Sequence, residues 1–115
     1  MFKFEELNVY RESIKFVDLI YETTKQWPSS EKYVLVDQLI RAAISIVLNI
    51  AEGTSRTRKD FQHFLSTARG SVYECVAIVT LAFNRKYITK EKFEIIYEHS
   101  SKLARMLTAL KKSLD

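Results

Sequence analysis

Apolar residues recur at helical spacing in four segments of the chain. In the first, Tyr10, Ile14, Val17 and Tyr21 are three or four residues apart, so their side chains fall on one side of a helix. Three later segments show the same spacing, and breaking residues are scarce, with two glycines and one proline in 115 residues. The pattern predicts helices over about residues 8–26, 31–52, 57–86 and 89–113.

Residues that favour helix ends lie near these boundaries. Asn8, Thr57 and Thr89 carry side-chain oxygens that accept hydrogen bonds from a first turn, so each is predicted to cap the helix that follows it. Pro28 cannot continue the first helix. Gly53 is predicted to be the C-cap glycine of the second helix, where the chain turns left-handed with a positive φ.

The connections between the predicted helices are only a few residues long. Short connections make successive helices antiparallel neighbours, so the predicted fold class is all-α, an up-down-up-down antiparallel four-helix bundle over residues 1–115 as a single domain. The start of the chain does not have the pattern of a signal peptide, and its apolar stretches are too short and interrupted for a membrane span. The expected location is cytoplasmic, without membrane contact.

The second and third helices are apolar on nearly all sides. AAISIVLNIA and YECVAIVTLAF place apolar residues in every direction around the axis. A four-helix bundle covers only the inward half of each helix, so the remaining apolar surface predicts contact between subunits. The chain is therefore expected to form a homo-oligomer.

Polar residues form one stripe along the second helix. Arg41, Ser45, Asn49 and Glu52 follow one another at intervals of four, four and three, with Gln38 one turn earlier. A structural network, a ligand or nucleic-acid site and a catalytic site are the three interpretations. The structural one is preferred because an arginine–glutamate pair needs no function to explain it. The predicted network comprises Gln38, Arg41, Ser45, Asn49, Glu52, Arg69 and Glu74.

Catalytic chemistry has little support in the sequence. The two histidines, His63 and His99, are expected at the surface, and the single cysteine, Cys75, lies in an apolar segment without a histidine partner. No glycine-rich phosphate loop occurs, and one cysteine does not make a zinc site. We therefore predict no enzyme, no catalytic residue, no metal and no cofactor, and a buried, inert thiol at Cys75.

Basic residues gather near the helix connections. The chain has 18 Lys and Arg against 14 Asp and Glu, a net charge of +4 that permits contact with an anionic polymer. In an up-down-up-down bundle, the first and third connections lie at one end and the second at the other, so each end collects a basic cluster. The predicted nucleic-acid-binding residues are Arg56, Arg58 and Lys59, then Arg85, Lys86, Lys90 and Lys92.

Two stretches carry a family resemblance. DQLIRAAISIVLNIAEGTSR and FLSTARGSVYE, with the opening FEELNVYRESIKFV, resemble the four-helix bundle family of 23S-rRNA intervening-sequence proteins. Ile40 stands where a second basic residue often precedes Arg41 in that family, so this chain lacks one positive charge. The matching motif residues are Gln38, Leu39, Arg41, Ala42, Ala43, Ser45, Ile46, Asn49, Ile50, Ala51, Glu52, Gly53, Leu65, Ala68, Arg69, Gly70, Ser71 and Glu74.

The resemblance implies several properties beyond the fold. Relatives assemble as cyclic pentamers, and members are often encoded in insertions within bacterial large-subunit rRNA genes. A related branch serves as the accessory protein of diversity-generating retroelements, where it binds nucleic acid and a reverse transcriptase. The implied partners are thus a second copy of the chain, RNA or DNA, and a protein such as a reverse transcriptase. A protein-interaction scaffold that touches no nucleic acid is the alternative function.

Overall fold

The computed structural model describes all residues 1–115 and contains helices without strands, so the predicted all-α class is confirmed. Short 3₁₀ turns occur at Lys3–Glu6 and Ser29–Glu31, and a π-helical turn at Lys32–Val36 leads into the second helix. The predicted start of the second helix at residue 31 therefore lies six residues before its first regular α-helical residue, because the turns in between are 3₁₀ and π-helical. The four helices are α1 (Asn8–Thr24), α2 (Asp37–Thr54), α3 (Arg58–Asn84) and α4 (Lys90–Ser113).

Contacts between helix ends define the topology. Gln62, in the second turn of α3, donates to Asp115 just beyond α4, with Nε2 2.8 Å from Oδ1. At the other end of the bundle, the Tyr87 hydroxyl donates to Glu31 over 2.8 Å and so joins the third connection to the first. These contacts place α3 antiparallel to α4 and α2 antiparallel to α3, as an up-down-up-down bundle requires, and the molecule measures 42 × 23 × 22 Å.

One apolar core of 19 buried residues joins the four helices. Its large members, such as Phe16, Ile46 and Leu103, are fully buried at the centre. The predicted burial of Cys75 is confirmed, and burial raises the pKa of its thiol to about 12, with a smaller contribution from Glu74. A thiol with so high a pKa is protonated at neutral pH and is a poor nucleophile.

The predicted N-caps of α3 and α4 are confirmed. The Thr57 and Thr89 hydroxyls accept hydrogen bonds from backbone N–H groups three residues later, each over 3.1 Å. The predicted cap of α1 is wrong, because Asn8 is itself the first helical residue and the extended Leu7 precedes it. The 3₁₀ turn before Leu7 sets this position, and the Asn8 side chain instead accepts from Arg11.

The prediction that Gly53 is a left-handed C-cap is wrong. Gly53 lies inside α2, which ends at Thr54, and it does not have a positive φ. A Cβ atom built at Gly53 would lie 2.6 Å from Cδ1 of Phe61 and 3.0 Å from Cβ of Phe64. The connection from α2 to α3 spans only residues 55–57, so the first turns of α3 pack directly on the last turn of α2. Glycine is needed there for close approach.

The left-handed residue of the chain is Lys86, with a φ of 65°, just after α3. Its N–H donates to the carbonyl of Phe83, and the N–H of Tyr87 donates to that of Ala82, both over 2.9 Å. These two bonds form a Schellman motif, in which a lysine occupies the position that glycine usually takes.

A charged cluster connects α1 to α4. Glu12 lies 3.5 Å from Lys102 and 3.6 Å from Lys15, and 3.4 Å from His99 Nε2 without the alignment of a hydrogen bond. Partial burial raises the pKa of Glu12, but Lys102 and Lys15 outweigh that effect and hold it below its ordinary value. The Glu12 carboxylate is therefore ionised at neutral pH and holds the two helices together.

The segment Ser29–Thr54 is long and apolar enough to cross a membrane by length and composition. By length and composition, the expectation that the apolar stretches are too short for a membrane span is thus wrong. Core helices of soluble proteins meet the same criterion. Ala43, Ile46 and Ile50 are fully buried within the bundle, whereas Leu48 is 60% exposed. Helix α2 therefore has apolar residues on its outer side as well as on its core side.

Candidate nucleic-acid interface

The seven predicted basic residues fall into two groups at opposite ends of the bundle. Arg56, Arg58 and Lys59 lie where α2 passes into α3, and the other four lie around the connection from α3 to α4. Because the molecule is 42 Å long, the structure does not bring the two groups together within one chain.

In the first group, Arg56 is already engaged. Its Nη2 atom lies 2.7 Å from Oε2 of Glu52, and its guanidinium lies 5.5 Å from the ring centre of Phe64. Arg58 and Lys59 are exposed and make no side-chain hydrogen bond or ion pair. They are the first two residues of α3, where the helix dipole is positive. Asp60 in the same turn offsets part of this positive charge, and a bound anion would offset the rest.

The second group is mixed with carboxylates. Arg85 and Lys86 are exposed and without ion pairs, whereas Lys90 lies 4.0 Å from Glu94. Lys92 is partly buried and lines a depression of about 300 Å³ that Glu22 also lines. The positive potential at this end is therefore weaker than the count of its basic residues indicates.

Local contacts satisfy most of the polar stripe on α2. Arg41 pairs with Asp37 over 3.0 Å, and the Asn49 amide donates to the Ser45 carbonyl over 2.8 Å and to its hydroxyl over 3.0 Å. The contact to another helix comes from Ser71, whose hydroxyl donates to that of Ser45 over 2.9 Å. This serine pair is the part of the stripe that links α2 to α3.

The predicted partners Arg69 and Glu74 make no contact with the stripe within one chain, and a contact across subunits stays a prediction. Arg69 donates instead to the Tyr73 hydroxyl over 2.8 Å, and Glu74 is exposed and makes no hydrogen bond or ion pair. Gln38 is exposed as well. Both predicted partners are exposed, whereas Ser71, which lies between them in the sequence, is buried against α2.

A groove on the outer surface between α3 and α4 is absent from the predicted sites. Three adjoining depressions form it, and neighbouring depressions share lining residues. The sequence could indicate only the α4 side of this groove. Helical spacing places five residues of α4 on one face, at intervals of four, four, three and four: Tyr97, Ser101, Arg105, Thr108 and Lys112. The side chains that carry its charge and aromatic surface are Arg69, Arg105, Lys111, Lys112, Tyr73 and Tyr97.

The fold and surfaces define a small helical-bundle protein with two basic ends. No group of three or more His, Cys, Asp or Glu side chains is placed to hold a metal ion. The family model described as 23S rRNA-intervening sequence protein matches residues 5–109. The chain belongs to that family, which confirms the resemblance at the family level.

A solved relative has the same fold. It is a protein with unknown function from the S23 ribosomal protein family of Bacteroides thetaiotaomicron VPI-5482, with a TM-score of 0.83 and 28% sequence identity. The match covers 90% of this chain and 95% of that chain. No curated protein sequence matches this chain. The family is ribosomal-protein-like rather than a family of enzymes.

Proposed function

We propose that this protein is a non-catalytic binding protein that contacts structured RNA through basic clusters repeated in a cyclic homo-oligomer. The observation that carries the proposal is the pair Arg58 and Lys59, which are exposed, unpaired and placed at the positive end of α3. Their arrangement favours an anionic ligand, and the family's association with 23S rRNA makes RNA the first candidate.

Assembly would multiply this surface. One chain offers only a few phosphate contacts, and a few contacts give weak binding at physiological salt. A ring of subunits would present the same cluster several times, and linked weak contacts on one RNA raise the overall affinity without any new contact. The exposed apolar side chains of α2 and α3, among them Leu48 and Leu81, are available for subunit contacts.

The test is a fluorescence-anisotropy titration of a structured rRNA fragment and an equally long DNA duplex, at about 50 and 200 mM salt. Replacing Arg58 and Lys59 with Ala should weaken binding to every sequence alike and reduce the slope of log Kd against log salt by about two for each subunit that contacts the RNA. Replacing Lys15 and Lys25 with Ala removes the same charge at two exposed positions that have only i,i+3 partners, and should leave that slope nearly unchanged.

The possible outcomes of this titration lead to different conclusions. A preference of the wild-type protein for the RNA would support a role at rRNA. Equal losses in the two double variants would show that net charge, rather than the Arg58–Lys59 cluster, carries the binding. No binding even at low salt would refute the proposal and favour the alternative scaffold, with a protein partner such as a reverse transcriptase to be sought next.

A further inference from the structure

The groove between α3 and α4 begins at the end of the bundle that carries Arg58 and Lys59. Gln62, one turn beyond Arg58 and Lys59, donates to the Lys111 carbonyl over 3.3 Å and so fixes the end of α4 beside the start of α3. The groove runs from Lys111 and Lys112 to Tyr97, fifteen positions away along α4. That distance is about 22 Å at about 1.5 Å per residue.

Its half nearest this end is basic. Arg69, Arg105, Lys111 and Lys112 line the two depressions there, and neither depression is lined by an aspartate or glutamate. None of the four makes an ion pair within the chain, since Arg69 and Arg105 donate to the neutral hydroxyls of Tyr73 and Ser101. The charge of this half is thus unpaired and open to an anionic ligand.

Its other half is apolar and aromatic. Tyr73 and Tyr97 are 58% and 51% exposed, so their rings are accessible to a ligand. The depression between them has a volume of about 400 Å³ and is otherwise lined by small or aliphatic residues such as Val76 and Ala77. The guanidinium of Arg69 lies 4.8 Å from the Tyr73 ring centre, and this contact orients the ring.

We infer that this groove binds a single-stranded segment of nucleic acid, with phosphates on the basic half and unstacked bases on Tyr73 and Tyr97. The inference rests on the proposed function and names the form of nucleic acid that this surface takes. Unpaired cations beside exposed aromatic rings are the combination that single-strand binding uses. A strand with unstacked bases is more extended than the roughly 3.4 Å per nucleotide of a duplex strand, so a length of about 22 Å accommodates at most about six nucleotides.

A duplex fits this surface less well, because its bases are stacked inside and cannot reach the tyrosine rings. A partner helix with acidic residues would match the charge of the basic half. The exposed tyrosine faces favour bases, however, since every base offers a flat surface that stacks without sequence preference.

The experiment compares a fluorescently labelled single-stranded RNA of about 12 nucleotides with an RNA hairpin of equal length. Tyr73→Ala should weaken single-strand binding at least fivefold and leave hairpin binding within twofold. Tyr73→Phe keeps the ring and should bind like the wild type, and Tyr21→Ala removes an exposed tyrosine from α1 as a control. Replacing Arg69 and Arg105 with Ala should lower the salt slope for the single strand by about 1.4.

A photocrosslink gives a second readout. A 4-thiouridine within the single strand should crosslink to the α3 peptide that contains Tyr73 or the α4 peptide that contains Tyr97. Crosslinks confined to other helices would overturn the inference. So would a Tyr73→Ala variant that weakens both RNAs equally, or one that changes the assembled mass, which would assign the groove to subunit contact.

The two proposals fail differently. A wild-type protein that binds the hairpin but not the single strand would refute the groove inference alone, and an acidic helix would then be the next occupant to test. A protein that binds neither RNA would refute the proposed function as well. Because Tyr73 is more than half exposed, its variants should retain the wild-type unfolding midpoint, which is measured alongside.

Discussion

At the scale of single residues, the two glycines of the chain occupy opposite environments. Gly53 faces Phe61 and Phe64 of the next helix, and a Cβ atom there would approach a ring carbon to 2.6 Å. Gly70 lies in the middle of α3 with no atom within 4 Å of where its Cβ would be. A mid-helix glycine costs stability by roughly 1 kcal/mol relative to alanine, so only Gly53 has a structural reason within the chain.

Alanine at the two positions should therefore have opposite effects. Gly53→Ala gains roughly 1 kcal/mol of helix propensity but forces an overpacked contact that costs about 1–3 kcal/mol, so the free energy of unfolding should fall by up to about 2 kcal/mol. Gly70→Ala should raise it by roughly 1 kcal/mol. Urea unfolding measures both. A Gly53→Ala variant as stable as the wild type would show that α3 moves aside at no cost.

The sequence pointed to Gly53, but it predicted a positive φ there instead of a close approach between helices. A glycine near a helix end most often provides a positive φ, and that rule is local. The close approach of Phe61 depends on how short the connection is and how α3 packs on α2, and neither can be read from the residues beside Gly53. The burial of Cys75, by contrast, follows from its apolar neighbours alone and could be predicted.

At the scale of helices, the residue that follows the end of α3, Lys86, has a left-handed backbone conformation that lysine disfavours. A left-handed non-glycine residue costs roughly 1–2 kcal/mol, and Lys86 has a φ of 65°. Two sets of contacts hold Lys86 in this conformation. They are the two hydrogen bonds of the Schellman motif and the packing of Tyr87 on Trp27, whose ring centres are 6.0 Å apart. The position of this turn is thus set by its surroundings.

Lys86→Gly should raise the free energy of unfolding by about 0.5–1 kcal/mol, since the relieved strain exceeds the greater freedom of glycine in the unfolded chain. Lys86→Ala removes the same charge but keeps the strain, so its stability should stay within about 0.5 kcal/mol of the wild type. Thermal and urea unfolding of the two variants test this. Equal stability of Lys86→Gly and Lys86→Ala would contradict the strain.

Helix types and most N-caps could be predicted because they depend on neighbouring residues. Thr57 and Thr89 cap their helices through bonds to groups three residues away. The π-helical turn at Lys32–Val36 and the displaced start of α1 depend on how the chain enters the bundle, so a pattern of capping residues could not show them. The fold class is therefore more predictable than the exact ends of its helices.

At the scale of the whole molecule, the basic ends could be predicted but the groove could not. The ends follow from the order of the helices, because connections that share an end bring their charges together. The groove depends on which side of α3 faces α4, and that rotation places Arg69 beside Arg105 instead of beside the stripe on α2. The sequence assigned Arg69 to the stripe because it is a charged residue on the next helix that could pair with the polar groups of α2.

The surface of the single chain is also larger than its mass requires. Its accessible area is 7140 Å², against about 6500 Å² expected for a monomer of 13.5 kDa. The elongated shape accounts for part of the excess, and large apolar side chains such as Leu48 are exposed on it. Association would cover part of this surface, and light scattering should then give a mass that is a multiple of 13.5 kDa.

Leu48→Lys tests whether α2 lies in the subunit contact. A lysine at a buried interface position leaves a charge without water, so the variant should shift to the mass of one chain at micromolar concentration. Gln26→Lys adds the same charge at an exposed position beyond α1 and should keep the assembled mass. If Leu48→Lys assembles normally, α2 is not in the contact, and the outer side of α3 around Leu81 becomes the alternative. If the wild-type protein is itself monomeric, repeated basic clusters cannot explain its affinity for RNA.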